Sequence, residues 1–146
     1  MTLPNTSLIR KLIVFVAAAL LSVSAMAADF NQTQRLANQG DALAQARLGL
    51  MYTQGEGVRQ DYTKAAKWYE KAANQGYVET QNRLGQMYYK GEGVPQDYTK
   101  ARQWYEKAAN QGKASAQFNL GAMYYNGEGV SQNIATAKEW FGKSCD

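Results

Sequence analysis

Three glutamates are the side chains of this sequence that most resemble catalytic acids. They recur at a spacing of 36 residues, each inside a Gly-Glu-Gly-Val loop: Glu56, Glu92 and Glu128. Hydrolysis by carboxylates requires two of them at a fixed separation. A second acid follows the first two loops, at Asp61 and Asp97, but asparagine replaces it after the third loop, at Asn133. Because a catalytic site normally occurs once in a chain, we expect these loops to be structural.

Residue types exclude other catalytic arrangements. The 146 residues contain no histidine, so a Ser-His-Asp triad, a Cys-His pair and an imidazole zinc site cannot form. Neither Ser115 nor Ser131 is followed by lysine three positions later, which a Ser-x-x-Lys nucleophile needs. The glycine loops also lack the Lys-Ser/Thr ending of a phosphate-binding loop. We therefore predict no catalytic residue, no metal ligand and no cofactor.

The single cysteine, Cys145, has two interpretations. One cysteine cannot form a disulfide within its own chain. It is either an unpaired thiol or one half of a disulfide to another chain, and an oxidising compartment would favour the second. The sequence leaves both readings open.

Residues 1–27 have the three parts of a cleavable signal peptide. The basic pair Arg10-Lys11 precedes an apolar run over residues 12–23, and Ala25-Met26-Ala27 is a small-x-small cleavage site. The alternative is a membrane anchor, but the apolar run is shorter than the roughly 20 residues that cross a bilayer. We therefore predict a periplasmic or secreted protein that begins at Ala28 and has no membrane span after cleavage.

The charge balance gives no indication of a nucleic-acid partner. Cleavage would remove two of the 16 Lys and Arg residues and none of the 12 acids, so the net charge falls from +4 to +2. A charge of this size, spread along the chain, is not the basic patch of a nucleic-acid-binding protein. No nucleic-acid partner is expected.

The remaining chain is built from a 36-residue repeat. Leu-Gly at 48–49 returns at 84–85 and 120–121, and the first two copies are identical at 25 of 36 positions. The third copy is shorter and stops before the Gln-Gly that ends the others, so no C-terminal capping helix is expected. The predicted boundaries of the N-terminal half-repeat and the three repeats are 28–40, 41–76, 77–112 and 113–146.

Each copy contains two helix-like segments around a glycine loop. In the first copy, apolar residues three and four positions apart predict a helix over about Ala42–Gln54. Asp61 is the predicted N-cap of the second helix, and Gly76 lies just after its end. The repeat unit is therefore a helical hairpin.

Glycine within the first helix of each hairpin needs an explanation, because it lowers helix stability by about 1 kcal/mol relative to alanine. Three equivalent positions carry it: Gly49, Gly85 and Gly121. We expect the paired helix to approach so closely that a Cβ would meet its tryptophan-bearing stripe, formed in the first copy by Ala65, Trp68 and Ala72. One tryptophan per copy is accordingly expected in the core: Trp68, Trp104 and Trp140.

The repeated motifs resemble the Sel-one-like repeat, a member of the tetratricopeptide-like helical repeats. In the first copy the resemblance rests on Leu48-Gly49, Met51-Tyr52, Gly55-Glu56-Gly57-Val58 and Trp68-Tyr69. The third copy departs from the pattern, with Phe141 for tyrosine and Ser144-Cys145 for Ala-Ala. The resemblance implies an all-α fold, a right-handed α/α solenoid of three hairpins preceded by a half-repeat helix.

The same resemblance implies a non-enzymatic scaffold that binds another protein, often after export from a bacterial cell or in membrane-protein quality control. Two alternatives remain: a secreted factor that interacts with a host, and an enzyme of the β-lactamase or cell-wall type, because some cysteine-rich relatives have been described as penicillin-binding or β-lactamase proteins. The missing histidine and Ser-x-x-Lys motif disfavour the enzyme. The oligomeric state is left open.

A partner would bind where the copies differ from one another. A helix of about 13 residues is about 20 Å long, and three such helices present on the order of 600 Å², less than the roughly 800 Å² that each partner buries in a standard interface. A peptide or a single helix fits such a face, and Arg47 and Arg83 would favour acidic groups in it; an ordinary solvated surface is the alternative. The candidate partner-binding residues are Leu43, Arg47, Leu50, Gln54, Glu79, Arg83, Gln86, Lys90, Ser115, Asn119, Ala122 and Asn126.

Overall fold

The computed structural model describes residues 6–145. The first five residues of the predicted signal segment and Asp146 lie outside the described residues. Within the described range every regular element is a helix, and each helix packs mainly against the helices before and after it. The helices are α1 (Thr6–Asn38), α2 (Ala42–Gln54), α3 (Tyr62–Asn74), α4 (Val78–Lys90), α5 (Tyr98–Asn110), α6 (Ala114–Asn126) and α7 (Ile134–Ser144). The predicted α/α solenoid is confirmed.

Side-chain caps start the second helix of each hairpin as the sequence predicts. Asp61 accepts a hydrogen bond from the Lys64 backbone N–H at 2.9 Å, Asp97 caps α5 at the same distance, and Asn133 caps α7 at 3.0 Å. Each cap satisfies a backbone donor that has no partner within the first helical turn. Asparagine serves as well as aspartate, so the third hairpin forms despite its departure from the repeat pattern.

The glycines inside the first helices pack against tyrosine or phenylalanine, and the expectation of a tryptophan contact was wrong. A Cβ on Gly49 would lie 2.6 Å from Cδ1 of Tyr69, and Tyr105 stands in the same place opposite Gly85. Phe141 takes this position against Gly121. Successive helical residues project about 100° apart, so the aromatic residue that follows each tryptophan turns into the hairpin.

The tryptophans are half-buried at the edge of the helix packing and not in its centre. Each has a lysine ammonium over its ring at 4.2–4.3 Å from the ring centre, contributed by the residue three positions later. This places the expected core tryptophans, Trp68, Trp104 and Trp140, at the border of the core and the solvent.

Glutamines connect one repeat to the next. Gln75 donates from Nε2 to Oε1 of Gln45 at 2.8 Å and to the Gly40 carbonyl at 3.0 Å, while buried Gln45 donates to the Ala37 carbonyl at 3.2 Å. The same arrangement recurs 36 residues later with Gln111 and Gln81. Three successive helices are thus held in one register by side-chain amides.

Helix α1 continues through the predicted cleavage site. Its apolar part, in the predicted signal segment, is exposed, whereas Thr33 and Ala37 are buried against the first repeat. The Met26 carbonyl lies beside Gly57 in the place that the Tyr62 carbonyl takes beside Gly93. Among the described residues α1 is the one helix long and apolar enough to cross a membrane, a test that signal sequences also pass.

Candidate partner-binding surface

The twelve candidate residues lie on three helices, four each on α2, α4 and α6, and all are exposed or half-buried. We call the side of α2, α4 and α6 that carries these twelve residues the first-helix face. The invariant residues of the same helices point the other way, where Leu48, Leu84 and Leu120 are buried in the hairpin core. Helix periodicity therefore separates the core stripe from the variable stripe on each first helix.

A groove with a volume of about 730 Å³ separates α2 from α4 on this face. Six of the candidate residues line it: Leu43, Arg47, Leu50, Glu79, Arg83 and Gln86. Gln54 and Arg83 line a smaller adjoining cavity of about 160 Å³. The other five candidates lie outside the groove: Lys90, Ser115, Asn119, Ala122 and Asn126.

The two walls of the groove differ in polarity. On α2, Leu43 is 62% exposed and Leu50 is 39% exposed, which leaves apolar surface open to solvent. The α4 wall is polar, with Glu79, Arg83 and Gln86. A ligand that fills the groove would meet the exposed leucines and the Asp29-paired Arg47 on one side and polar side chains on the other.

One arginine of the groove is paired with an acid and the other is not. Arg47 donates to Asp29 of α1 at 2.8 Å, and Lys113 holds Glu79 at 2.6 Å. Arg83 donates to Gln86 at 3.3 Å, and no carboxylate of residues 6–145 pairs with it. Arg83 therefore keeps the capacity to hold a ligand carboxylate.

Asn82 also lines the groove, although it is not among the residues predicted from the sequence. Asn82 is 8% exposed, and its Oδ1 atom is buried without accepting a hydrogen bond from any described residue. Equivalent positions hold Ala46, which is 9% exposed, and Phe118, which is 57% exposed; the buried alanine shows that helix packing at this position does not require an amide. A polar residue where the other copies are apolar was the available signal.

A second groove, of about 620 Å³, is lined mainly by residues of α5, among them Trp104, together with Tyr88 of α4. Lysines already cover both rings, Lys100 at 5.3 Å from the ring centre of Tyr88 and Lys107 at 4.2 Å from that of Trp104. These aromatic faces are used within the fold.

Two of the loop glutamates have a partner elsewhere in the protein. Glu128 accepts a hydrogen bond from the Tyr89 hydroxyl at 3.0 Å, and burial, followed by this bond, raises the pKa of Tyr89. Glu92 lies 3.8 Å from the Lys90 ammonium. Within residues 6–145 no group of three or more His, Cys, Asp or Glu side chains could hold a metal ion. Cys145 is exposed, and an unpaired thiol and a disulfide to another chain are still its two predicted states.

Comparison with known families gives three consecutive matches to the Sel1 repeat, over residues 42–77, 78–113 and 114–146. A comparison with curated protein sequences gives no match.

Solved structures give the same likeness. The chain is 42% identical to a protective antigen of uropathogenic Escherichia coli that displays an SLR fold, over 79% of this chain and 25% of that one, with a TM-score of 0.77. It is 36% identical to a Sel1 repeat protein from Oxalobacter formigenes, over 73% of this chain and 43% of the other, with a TM-score of 0.70. This chain therefore spans a quarter to less than half of these two relatives.

Cysteine rich protein B of Helicobacter pylori shares the fold, with a TM-score of 0.64 at 24% identity over 82% of this chain and 89% of that one.

Proposed function

The chain belongs to the Sel1 repeat family, whose members are generally protein-interaction scaffolds, and we propose that it binds a short segment of a partner protein along the first-helix face. The observation that carries this proposal is the groove between α2 and α4, open to solvent and lined by exposed leucines on one wall and by Arg83 on the other. Apolar surface beside an unpaired cation is the pattern of a binding site for an acidic, partly apolar segment.

The size of the groove favours a peptide or a single helix as its occupant. A groove of about 730 Å³ accepts a few side chains, and the face of three helices is smaller than one side of a standard protein interface. A partner protein would therefore insert a projecting segment.

Export is the second part of the proposal. The exposed apolar half of α1 and the small-x-small motif at Ala25-Met26-Ala27 support a signal peptide that is cleaved before Ala28. N-terminal sequencing of the protein from fractionated cells tests this. A start at Ala28 in the soluble fraction supports cleavage, and an intact N-terminus in the membrane fraction contradicts it.

One observation favours a second candidate function, that of a secreted factor which interacts with a host. The Escherichia coli relative is described as a protective antigen. Separate assays of the culture supernatant and the periplasm distinguish the two: a periplasmic scaffold stays in the cell envelope fraction, whereas a secreted factor accumulates in the medium.

The interaction proposal is tested by charge reversal. The purified Arg47→Glu/Arg83→Glu double variant should capture less partner protein from extracts of the source cells than wild type does. The matched control is Lys67→Glu/Lys138→Glu, which makes the same charge change at exposed positions of α3 and α7. Both arginines are exposed and surface pairs contribute little to stability, so both variants should melt close to wild type. Equal capture by all three proteins would overturn the proposed site.

A further inference from the structure

The buried amide of Asn82 is the feature of the groove that the packing of this chain does not explain. A buried acceptor without a hydrogen bond lowers stability, and almost all buried polar atoms in proteins find a partner. Ala46, which is 9% exposed, occupies the same place in the first copy, so an apolar side chain fits there. Asn82 lines the groove and lowers stability through its unpaired Oδ1. This indicates a ligand that donates the missing hydrogen bond.

We propose that Asn82 holds the main chain of an extended acidic peptide, with Arg83 binding a carboxylate of the same peptide. The inference rests on the proposed function and specifies its ligand. A side-chain amide offers one acceptor and one donor group, and these match the N–H and C=O of a peptide unit.

Extended backbone is favoured over a helix because of where its hydrogen-bonding groups point. Beyond its first turn, a helix uses every backbone N–H for its own bonds to the carbonyl four residues earlier. An extended chain leaves its N–H and C=O groups pointing sideways, free to pair with a neighbouring group. The orphaned Oδ1 of Asn82 needs such a free N–H.

The two walls of the groove specify the side chains of the peptide. Neighbouring residues of an extended chain point to opposite sides, so a peptide lying along the groove would turn one side chain toward Leu43 and Leu50 of α2 and the next toward Arg83 of α4. Glu79 stands on the same wall as Arg83, but its charge is held by Lys113 at 2.6 Å. The ligand class is therefore an extended segment with an acidic residue next to an aliphatic one.

The test uses fluorescein-labelled ten-residue peptides in which Asp or Glu adjoins Leu, Val or Ile, with binding measured by fluorescence anisotropy. Each binder is then synthesised again with single backbone N-methyl groups, which remove one N–H at a time. At one position near the acidic residue, methylation should weaken binding to wild type about 3- to 10-fold, the effect of one lost hydrogen bond.

The Asn82→Ala variant should bind the unmodified peptide more weakly by a similar factor and should be insensitive to methylation at that one position. Its melting temperature should equal or exceed that of wild type, because alanine stands naturally at Ala46. The matched control Asn74→Ala, at an exposed position of α3 away from the groove, should bind like wild type.

The outcomes separate this inference from the proposed function. If Asn82→Ala binds like wild type while Arg47→Glu/Arg83→Glu does not, the groove is a binding site but Asn82 does not hold the ligand, and the inference is wrong. Binding only to peptides locked as helices would also overturn it. If no peptide binds wild type, both the inference and the peptide-binding function fail. Should Asn82→Ala unfold, the N-methyl scan on wild type decides alone.

Discussion

Gly85 lies against the ring of Tyr105, so closely that a Cβ on the glycine would stand 2.5 Å from the ring atom Cδ1. Tyr105 is 3% exposed, and its ring fills the space between α4 and α5 that a side chain at residue 85 would need. This contact recurs in the first hairpin between Gly49 and Tyr69. Close approach of the two helices explains why a poor helix former is kept in the middle of α4.

Replacing Gly85 by alanine should therefore destabilise the protein, although alanine is the better helix former. Overpacking in a core typically costs about 1–3 kcal/mol, so the free energy of unfolding in urea should fall by about this amount. The control is Gly142→Ala in α7, where a Cβ would meet nothing within 4 Å and helix propensity should raise stability by about 0.5–1 kcal/mol. Equal gains at both positions would contradict the packing explanation.

The glutamine chain predicts an unequal response at two equivalent positions. Gln81 donates to the Ala73 carbonyl at 3.1 Å and accepts from Gln111 at 2.7 Å, so Gln81→Ala removes one hydrogen bond to each neighbouring helix. The Ala73 carbonyl keeps the Gly76 N–H and Gln111 keeps the Gly76 carbonyl, so each lost bond should cost about 0.5–1.5 kcal/mol. Gln117 makes only the first of these two bonds within the described residues, so Gln117→Ala should lose less stability in the same urea titration. A larger loss for Gln117→Ala would show that the amide chain does not join the repeats.

Stability should fall at alkaline pH because of Tyr105. Burial, with a smaller contribution from the charge of Tyr89, raises the pKa of Tyr105 above its usual value of about 10. Above pH 10 the unfolded chain releases this proton while the folded chain keeps it, so the unfolded state binds fewer protons and the unfolding free energy falls as pH rises. The melting temperature of Tyr105→Phe should therefore decline less between pH 9 and about pH 11 than that of wild type.

The neutral-pH cost of this change should be small, since Phe141 stands naturally at the same place in the third hairpin. The matched control is Tyr125→Phe, at a tyrosine that is 54% exposed. If the melting temperatures of Tyr105→Phe and wild type fall equally at alkaline pH, groups other than Tyr105 cause the pH dependence.

Much of the fold could be predicted because the sequence signals for helix starts, loops and helix packing recur in each of the three copies of the repeat. The capping position, held by Asp61 and its equivalents, and the glycines that follow the first two hairpins are local features, and α2 has the predicted bounds Ala42–Gln54. Such features depend on a few neighbouring residues, so the sequence is sufficient to place them.

Features that depend on the direction of a side chain across two helices were harder to predict. Trp68 and Tyr69 are adjacent, and only the packing angle of the hairpin decides which of them faces Gly49. Asn82 is a related case: its missing hydrogen bond is visible only in the structure, and the sequence offers only a polar residue where the other copies are apolar. The division of α1 between signal segment and half-repeat stays a prediction.

The central claim is that a partner binds along the first-helix face, and site-specific photo-crosslinking in living cells tests it most directly. A photoreactive phenylalanine is placed at Gln54 or Leu50 on this face, or at Lys67 on the outer side of α3, and crosslinked proteins are identified by mass spectrometry. We predict a common partner peptide crosslinked from Gln54 and Leu50 and not from Lys67. A partner crosslinked from Lys67 alone, or equally from all three positions, would contradict the claim.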